Sequence, residues 1–424
     1  MQENKYVCVM FPYPSGSGLH IGHAYNYAIV DSYCRYLKAF GKEVFQPFGY
    51  DAFGLPAENY ARSIGGDPKE VTYENIKKFR LQMKEMDTNY EELLITSDPS
   101  YQKWTQWLFL KLKEHGLAYK AMGDVNYCSS CETVLAREQV KDGKCDRCSS
   151  KVEVKQLEQW YFKITAYKDR LLANLSSINY PEKTINAQRA WIENLHDWCI
   201  SRQRKWGCPI PLEGETDTLD TFVDSSFYYI KYCDPTNEQE LCAKDKYKQV
   251  DLYVGGVEHA CMHLIYARFI HMFLYDIGVV PVEEPFKKVI HQGMILNEGQ
   301  KMSKSLGNIV NPDGYDPDEL RFYLMFIGHY FDGGSWSDQN MAGVKRFIAR
   351  FKEWMSRAGT DEIDYPEFSN KISNFTEAFK FNKVVSEFMS LVNKHRIKNL
   401  TVESKDKLIN LLSIYMPNIK DKLK

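Results

Sequence analysis

The sequence predicts an α/β protein with a doubly wound parallel sheet that is split by a cysteine-rich insertion and followed by an all-α helical bundle. Three observations predict this fold class. An apolar strand, a glycine-rich turn and a helix open the chain, the same order returns from residue 251, and the pattern after residue 340 is helical throughout. Two such half-units far apart in the chain indicate one sheet with an insertion.

The first half-unit begins with the buried strand "YVCVMF", residues 6–11, and the turn "PYPSGSG". A helix is expected from His23 to a stop at Gly41, because its apolar positions recur at helical spacing: Tyr27, Val30, Cys34, Leu37 and Phe40. The segment "EVFQPF", residues 43–48, reads as the next strand.

The second half-unit contains a strand ending in Gly-Gly within "DLYVGGVEH", a helical segment, and a strand at "KVIHQG". After it, two apolar stripes predict the core of a helical bundle: Phe381, Val385, Phe388 and Val392, then Leu408, Leu411, Leu412 and Tyr415. The expected divisions are a catalytic first half at 1–95, an insertion at 96–216 with a zinc-ribbon-like module at about 124–155, a second half at 217–310, a connection at 311–340 and the bundle at 341–424.

Composition excludes several classes of protein. The chain has 424 residues, 44% of them apolar, and a formal charge of -2. Residues 341–424 carry 16 Lys+Arg against 10 Asp+Glu, a surplus that suits a polyanion or an ordinary solvated helix surface equally well. We expect a cytoplasmic protein without signal peptide or membrane contact, because no basic-then-apolar leader and no long apolar run occurs.

The first chemical motif is "HIGH", residues 20–23, which follows Gly16 and Gly18. An isolated pair of histidines is commonly a solvated helix start. Beside a glycine-rich turn, however, glycines let the backbone approach a ligand and a helix start offers free N–H groups, so His20 and His23 are interpreted as a phosphate clamp.

The second motif is "KMSKS", residues 301–305, between Gly299 and Gly307. Alone, such a basic loop is more often a surface turn. Paired with the histidine motif, Lys301 and Lys304 are expected to close over a triphosphate and neutralise the charge that develops at its α-phosphate.

The third motif is the pair of knuckles "CSSC" at 128–131 and "CDRC" at 145–148, separated by 13 residues. Cys128, Cys131, Cys145 and Cys148 are therefore predicted to close a tetrahedral, structural zinc site. The remaining cysteines are expected to be packing residues: Cys8, Cys34, Cys199, Cys208, Cys233, Cys242 and Cys261.

Together, "HIGH" and "KMSKS" resemble the two signatures of class I aminoacyl-tRNA synthetases, which make an aminoacyl adenylate from ATP and pass the acyl group to tRNA. The segments "MFPYPSGSGLHIGHAYNY", "GYDAFGLPAENYA", "DTLDTFVDSSFYY", "GGVEHACMHLIYARF" and "QGMIL" look like the leucine-specific members. The resemblance covers roughly residues 6–415 and implies a Rossmann-like catalytic domain.

The resemblance also implies roles for matching residues. Asp51 would pair with the α-ammonium of the substrate. Glu258, with Gly255 and Gly256, would contact the ribose of ATP, and Met294 and Ile295 would hold the adenine through backbone groups. The leucine pocket would be framed by Met10, Phe11, Tyr13, Phe222, Ser225, Tyr228, Tyr253, His259 and His263.

The sequence departs from this family in three places. Trp191 and Trp198 have six residues between them, which leaves no room for the hydrolytic editing domain expected there. A linker is absent after "PIPLEGE", and the chain ends near the end of the bundle, so a C-terminal tRNA-binding domain is not expected.

The expected activity is therefore leucine–tRNA ligation without post-transfer editing, using leucine, ATP with Mg²⁺, and tRNA(Leu), with Zn²⁺ as a structural metal. Two alternatives stay open: a relative that passes the activated amino acid to an acceptor other than tRNA, and a catalytically idle protein that binds tRNA or amino acid. The sequence does not predict the oligomeric state.

Overall fold

The computed structural model describes residues 4–14, 18–135, 139–145, 147–302 and 307–423. In chain order, strands β1 to β17 are Asn4–Val9, Glu43–Phe45, Pro47–Tyr50, Glu91–Ile95, Ala118–Cys128, Thr133–Leu135, Val140–Lys141, Lys144–Cys145, Val152–Phe162, Trp198–Cys199, Ser201–Arg202, Thr218–Leu219, Leu252–Gly255, Val289–His291, Met294–Asn297, Gln300–Lys301 and Gly333–Trp336. Helices α1 to α15 are Ile21–Ala39, Leu55–Ile64, Pro68–Glu85, Pro99–Glu114, Lys168–Ala173, Glu182–Glu193, Thr221–Ser225, Tyr228–Lys231, His263–Asp276, Pro317–Phe326, Asp338–Ser356, Tyr365–Glu377, Phe381–His395, Val402–Leu412 and Ile419–Lys422.

The core is the predicted parallel sheet. Its strands lie in the order β14-β13-β1-β2, and all neighbours are parallel. One residue after β2 the chain continues as β3, which pairs in parallel with β4. Helices α1 and α9 make the crossovers from β1 to β2 and from β13 to β14. The carboxyl ends of β1, β3 and β13 are the place where a doubly wound sheet binds its ligands.

Strand β1 is apolar and buried from Tyr6 to Val9, because both of its faces are covered there. Val7 and Val9 pack into one hydrophobic cluster, whereas Tyr6 and Cys8 pack into another on the opposite face. The first of these clusters also contains both stripes predicted for the bundle, so the cores of the sheet and the bundle are continuous.

The predicted helix and strand of the first half-unit are present with shifted bounds. Helix α1 begins at Ile21, and Gly41, with φ +79°, follows its end as expected. The expected strand at residues 43–48 is two strands, β2 and β3, interrupted at Gln46. The buried side-chain amide of Gln46 turns towards Asp31 on α1, at 3.3 Å, which takes this residue out of the regular alternation.

The insertion is built on a long antiparallel ribbon. Strands β5 and β9 pair over eleven residues each, from Ala118 opposite Phe162 to Cys128 opposite Val152, and the cysteine knuckles lie at the tip of this ribbon. Strand β10 adds to β9, and β11 pairs with β12 across the shortened connection at residues 203–217.

The predictions for the isolated cysteines are mostly confirmed. Cys8, Cys34, Cys208 and Cys242 are buried. The other members of that set are only partly buried: Cys199, Cys233 and Cys261. Across the part of the chain that the structure describes, no helix combines the length and the apolar character needed to cross a membrane.

Candidate active site

All ten residues predicted to bind the amino acid line one cavity of about 200 Å³ at the carboxyl ends of β1, β3 and β13. They come from five separate segments of the chain: Met10, Phe11 and Tyr13; Asp51; Phe222, Ser225 and Tyr228; Tyr253; and His259 and His263. Pocket aromatics that could have passed for core from the sequence therefore share a surface with the charged residues.

Asp51 sits at the inner wall of this cavity and is 1% exposed. Its Oδ1 accepts a hydrogen bond from Thr221 Oγ1 at 2.9 Å. Burial raises the pKa of Asp51 well above its usual range, and the neighbouring carboxyls of Asp224 and Asp220 raise it further. Asp220 is already paired with Arg202 at 2.6 Å, whereas an α-ammonium group beside Asp51 would favour the charged form of that carboxyl.

The opposite wall is apolar and aromatic, with neutral polar groups behind it. Phe11 and Tyr228 stack with ring centroids 3.8 Å apart. Behind them, the Tyr228 and Tyr253 hydroxyls lie 2.7 Å apart, and Tyr253 Oη is 2.5 Å from His263 Nε2. Burial, followed by His259, lowers the pKa of His263 to about 3, so its ring is neutral. An uncharged, aliphatic side chain suits these walls.

The two histidines of the first motif form the N-terminal cap of α1. His20 is the N-cap residue, and its Nδ1 accepts from the Gly22 N–H at 3.0 Å, while His23 Nδ1 accepts from the His20 N–H at 3.3 Å. Because each Nδ1 accepts, each neutral ring carries its hydrogen on Nε2. Burial, and then His20, lowers the pKa of His23 well below its usual range.

A second, larger cleft of about 870 Å³ adjoins the amino-acid cavity. It contains most of the residues predicted to meet ATP: His20, His23, Gly256, Glu258, Met294, Ile295 and Lys301. Gly22, His23, Gly256, Glu258 and Gln292 line both the cavity and the cleft. The two spaces therefore meet at the start of α1 and the end of β13.

Two predicted site residues, Gly16 and Lys304, lie outside the described residues. The reasoning for Gly18 needs a correction. Gly18 has φ +111°, but a Cβ there would meet the Gln82 side chain at 2.6 Å, and Gly18 lines neither the cavity nor the cleft. Its close approach is therefore to helix α3, where Gln82 Oε1 accepts from the Leu19 N–H.

The sequence places Gly255 at the ribose of ATP, whereas in the structure it lines the amino-acid cavity and is not among the residues that line the cleft. A Cβ at Gly255 would come within 2.0 Å of Met10 Sδ, and one at Gly256 would come within 2.3 Å of the Glu258 carboxylate. A larger residue at either glycine would therefore displace the side chain of Met10 or of Glu258, both of which line the amino-acid cavity.

The four knuckle cysteines form a cluster that fits a zinc ion. Their Sγ atoms all lie within 4.8 Å of one another, and those of Cys128 and Cys148 are 3.4 Å apart. Tetrahedral thiolate coordination at about 2.3 Å from the metal gives sulfur separations of about 3.8 Å. Three of the four cysteines are buried, so a bound ion would have no open coordination position for a substrate.

The cysteine module docks on α2, directly after Asp51 in the chain. Leu55 packs into the cluster with the cysteines, the Asn59 side-chain amide donates to Cys131 Sγ at 3.7 Å, and Arg62 Nη1 donates to the Ser130 carbonyl at 2.9 Å. The module therefore forms part of the surroundings of the amino-acid cavity.

Several lining residues had no signal in the sequence. Asn26 and Tyr27 reach the amino-acid cavity from α1, because two successive residues on that helix follow His23 by about one turn. In the nucleotide cleft, Met302 lies inside the second motif, and Lys288 and His291 belong to the predicted strand "KVIHQG". Other lining residues come from segments that no motif includes, so local spacing could not reveal them: Asn179, Tyr180, Lys183, Thr184, Phe331 and Asp332.

Two family models match the chain. A family model described as tRNA synthetases class I (I, L, M and V) matches residues 1–213, which is half of the chain. A second model, tRNA synthetases class I (M), matches residues 130–357.

Curated relatives favour the leucine branch. The chain is 32% identical to a leucine–tRNA ligase of Clostridium botulinum, over 96% of this chain and 79% of the relative, and 31% identical to one of Caldanaerobacter subterraneus, over 92% and 81%. The first alignment runs over 655 positions, well beyond the 424 residues of this chain, so that relative has long segments without a counterpart here.

Among solved structures, the Agrobacterium radiobacter K84 LeuRS–tRNA–LeuAMS ternary complex superposes with a TM-score of 0.91 at 25% identity, covering 100% of this chain and 85% of that one. A Mycobacterium tuberculosis methionyl-tRNA synthetase bound by methionyl-adenylate has a TM-score of 0.79 at 20% identity, covering 99% and 93%, and shows a shared fold. The chain belongs to the leucine–tRNA ligase family of class I tRNA synthetases.

Proposed function

We propose that this protein activates leucine with ATP to leucyl adenylate and then transfers the leucyl group to tRNA(Leu). The observation that carries the proposal is the shared wall between the two spaces. A leucine carboxylate in the amino-acid cavity and the α-phosphate of an ATP in the cleft would meet at Gly22, His23, Gly256, Glu258 and Gln292.

The first step needs no side-chain nucleophile. A carboxylate oxygen of leucine attacks the α-phosphorus, the bond to the β-phosphate breaks, and pyrophosphate leaves. In the second step a terminal ribose hydroxyl of the tRNA attacks the leucyl carbonyl, and AMP leaves. The contribution of the protein is orientation and stabilisation of charge.

Asp51 holds the ammonium group in this proposal. Its buried position beside other carboxyl groups favours a cationic ligand, and Thr221 fixes one of its oxygens. The aliphatic side chain lies between Phe11, Tyr228 and the neutral histidines of the cavity. A polar or charged side chain would lose its hydration there without gaining a partner of opposite charge.

The phosphates meet the start of α1 and the second motif. Neutral His23 donates from Nε2, so the cleft gains a hydrogen-bond donor. Because the ring is uncharged, this donor does not carry the cost of burying a cation. Lys301 is exposed at the rim of the cleft, on β16, and Lys304 follows it in the chain. Gly256 and Glu258 contact the ribose, Met294 and Ile295 contact the adenine, and magnesium accompanies the triphosphate.

The test is exchange of pyrophosphate into ATP across the aliphatic amino acids. Leucine should support the fastest exchange. Lys301→Ala and Lys304→Ala should each lower the rate by about 10² or more, because each removes charge stabilisation at the α-phosphate. Lys345→Ala, on the exposed face of α11, is the matched control and should leave the rate unchanged.

The acceptor is tested in the same preparation by charging of tRNA. The surplus of +6 on residues 341–424 and the likeness to a LeuRS–tRNA–LeuAMS complex support tRNA as the acceptor. Exchange without charging would point to a carrier protein or a small molecule as the acceptor. A folded protein without exchange would point to a relative that binds its ligands without catalysis.

The protein is also proposed to lack post-transfer editing. Helix α6 ends at Glu193 and β10 begins at Trp198, so only a short turn occupies the place where an editing domain would be inserted. A hydrophobic pocket distinguishes side chains that differ by one methylene by only about 1–3 kcal/mol. Enzyme-dependent release of isoleucine or norvaline from mischarged tRNA would contradict this part of the proposal.

A further inference from the structure

The insertion contacts the nucleotide cleft through helix α6 and the residues before it. The Val289 N–H on β14 donates to the Asn179 carbonyl at 3.0 Å, and Asn179 forms a parallel bridge with Lys288. Through this bridge, one residue of the insertion pairs with the edge of the catalytic sheet. Asn179 and Thr184 both line the cleft, so its wall is shared between the insertion and the sheet.

One buried histidine connects these two parts. His291, the last residue of β14, is 9% exposed, and Thr184 of α6 is 1% exposed. His291 Nε2 lies 2.8 Å from Thr184 Oγ1, and His291 Nδ1 lies 2.9 Å from the Gly255 carbonyl oxygen. The histidine therefore bridges α6 and the end of β13.

The partners fix the roles of the two ring nitrogens. A carbonyl oxygen can only accept, so Nδ1 of His291 must carry a hydrogen and donate it to Gly255. In the neutral ring, Nε2 then accepts from the Thr184 hydroxyl. Burial lowers the pKa of His291, which favours this neutral form.

The bond to Gly255 controls the orientation of one peptide plane. Because the Gly255–Gly256 peptide is planar and trans, holding the Gly255 oxygen towards His291 directs the Gly256 N–H to the opposite side. Neither glycine has a Cβ to restrict its rotation, so the hydrogen bond replaces a restraint that other residues would supply sterically. Gly256 and Glu258 lie at the wall shared by the two cavities.

We propose that His291 is a positioning residue of the nucleotide site: through Nδ1 it holds the Gly255–Gly256 peptide in the orientation that receives ATP, and Thr184 holds the ring. The inference rests on the proposed function for the identity of the nucleotide. It assigns part of the affinity for ATP to a contact with the insertion.

The test compares His291→Ala, His291→Asn and His291→Gln. Asparagine can place its amide nitrogen where Nδ1 lies and keep the bond to Gly255, whereas glutamine reaches towards Thr184. We expect alanine and glutamine to raise the KM for ATP about tenfold, as for the loss of one buried hydrogen bond. Asparagine should restore most of the affinity for ATP.

A matched control is His271→Ala, which removes another buried histidine with two hydrogen-bonding neighbours, the Tyr229 and Tyr247 hydroxyls, outside both cavities. This control should lower stability without changing the KM for ATP. If His291→Ala behaved like His271→Ala, or if asparagine and glutamine behaved alike, the inference would be overturned.

Calorimetry separates this inference from the proposed function. ATP binding is measured directly, without amino acid and without turnover, so the variants can be ranked even if leucine supports no exchange. Thr184→Val should weaken ATP binding about threefold, because the ring loses its second anchor but keeps its bond to Gly255. Unchanged binding in both Thr184→Val and His291→Gln would refute the positioning role.

Discussion

The buried ion pair between Asp31 and Arg321 offers a demanding test of the fold. Asp31 lies on α1, Arg321 lies on α10, and the side chains of both are 0% exposed. Arg321 Nη2 donates to Asp31 Oδ2 at 2.7 Å, and Arg35 Nε donates to the same oxygen at 2.7 Å. The Asn89 N–H donates to Asp31 Oδ1 at 2.8 Å.

These contacts indicate that the pair is charged. Burial alone would raise the pKa of Asp31, but Arg321 and Arg35 outweigh it, and the pKa lies below its usual range. The stability that Asp31 contributes is therefore present above the pKa of an unfolded aspartate and is lost as the pH falls through the lower pKa of the folded state.

Asp31→Asn should lower the free energy of unfolding by about 3–5 kcal/mol, because it leaves the Arg321 guanidinium buried without its counter-charge. The double variant Asp31→Asn/Arg321→Met should regain much of this loss, since no unpaired charge remains. Arg35→Met is the matched control. Its side chain is 17% exposed, and Arg321 still compensates Asp31, so we expect a loss of about 1 kcal/mol.

Native-state hydrogen exchange, measured for the segments α1 and α10, gives the local free energy of unfolding. Such a local measurement suits a chain with more than one domain. Protection in both helices should fall together in Asp31→Asn. A loss below about 1 kcal/mol would show that the buried pair contributes little. A double variant as unstable as the sum of its two single variants would refute the coupling.

Three further predictions concern the cavity and the metal cluster. Cys145→Ser should abolish zinc retention after dialysis against a weak chelator. The control Cys242→Ser, at a buried cysteine outside the cluster, should still retain zinc. Zinc retention in both variants would contradict the four-thiolate site. Leucine binding should release protons at mildly acidic pH, because Asp51 has a raised pKa and must ionise to pair with the ammonium; calorimetric heats that are equal in two buffers of different ionisation enthalpy would contradict this. Burial raises the pKa of Asp224 to about 8, whereas an unfolded aspartate titrates at about 4. The folded state therefore binds the proton more tightly. The free energy of unfolding should fall as the pH rises between these two values, by up to about 1.4 kcal/mol per pH unit. Asp224→Asn, which can still accept from Thr105, should remove that slope in urea unfolding between pH 5 and 9, and parallel slopes in the two proteins would refute the assignment.

The sequence predicts most of the site because its chemistry lies in short segments with local spacing. "HIGH" marks the start of a helix, and the two knuckles predict the cysteine cluster from their spacing alone. The apolar run of β1 predicts a strand covered on both faces, which is confirmed by the packing of Val7 and Tyr6 into opposite clusters. These inferences need only the residues within a few positions of the motif.

The features that the sequence did not predict depend on contacts between distant segments. Thr184 and His291 are 107 positions apart, and Asp31 and Arg321 are 290 positions apart, so no periodicity connects them. Gly18 was interpreted as a position where the backbone approaches a ligand, but it lines neither the cavity nor the cleft. The neighbour that requires it, Gln82, lies on another helix, and that contact becomes visible only when the two helices are packed together.

The contacts of the insertion give a physical reason why a short form of it can serve the adenylate site. One end of the insertion docks on α2 through Leu55 and the Asn59–Cys131 contact, next to the amino-acid cavity. Its other end docks on β14 through Asn179 and on the nucleotide cleft through Thr184. The residues of the insertion that make these contacts come before the turn between α6 and β10, where an editing domain would be inserted. A chain without that domain therefore keeps these contacts between the insertion and the walls of the two cavities, and adenylate formation should not depend on it.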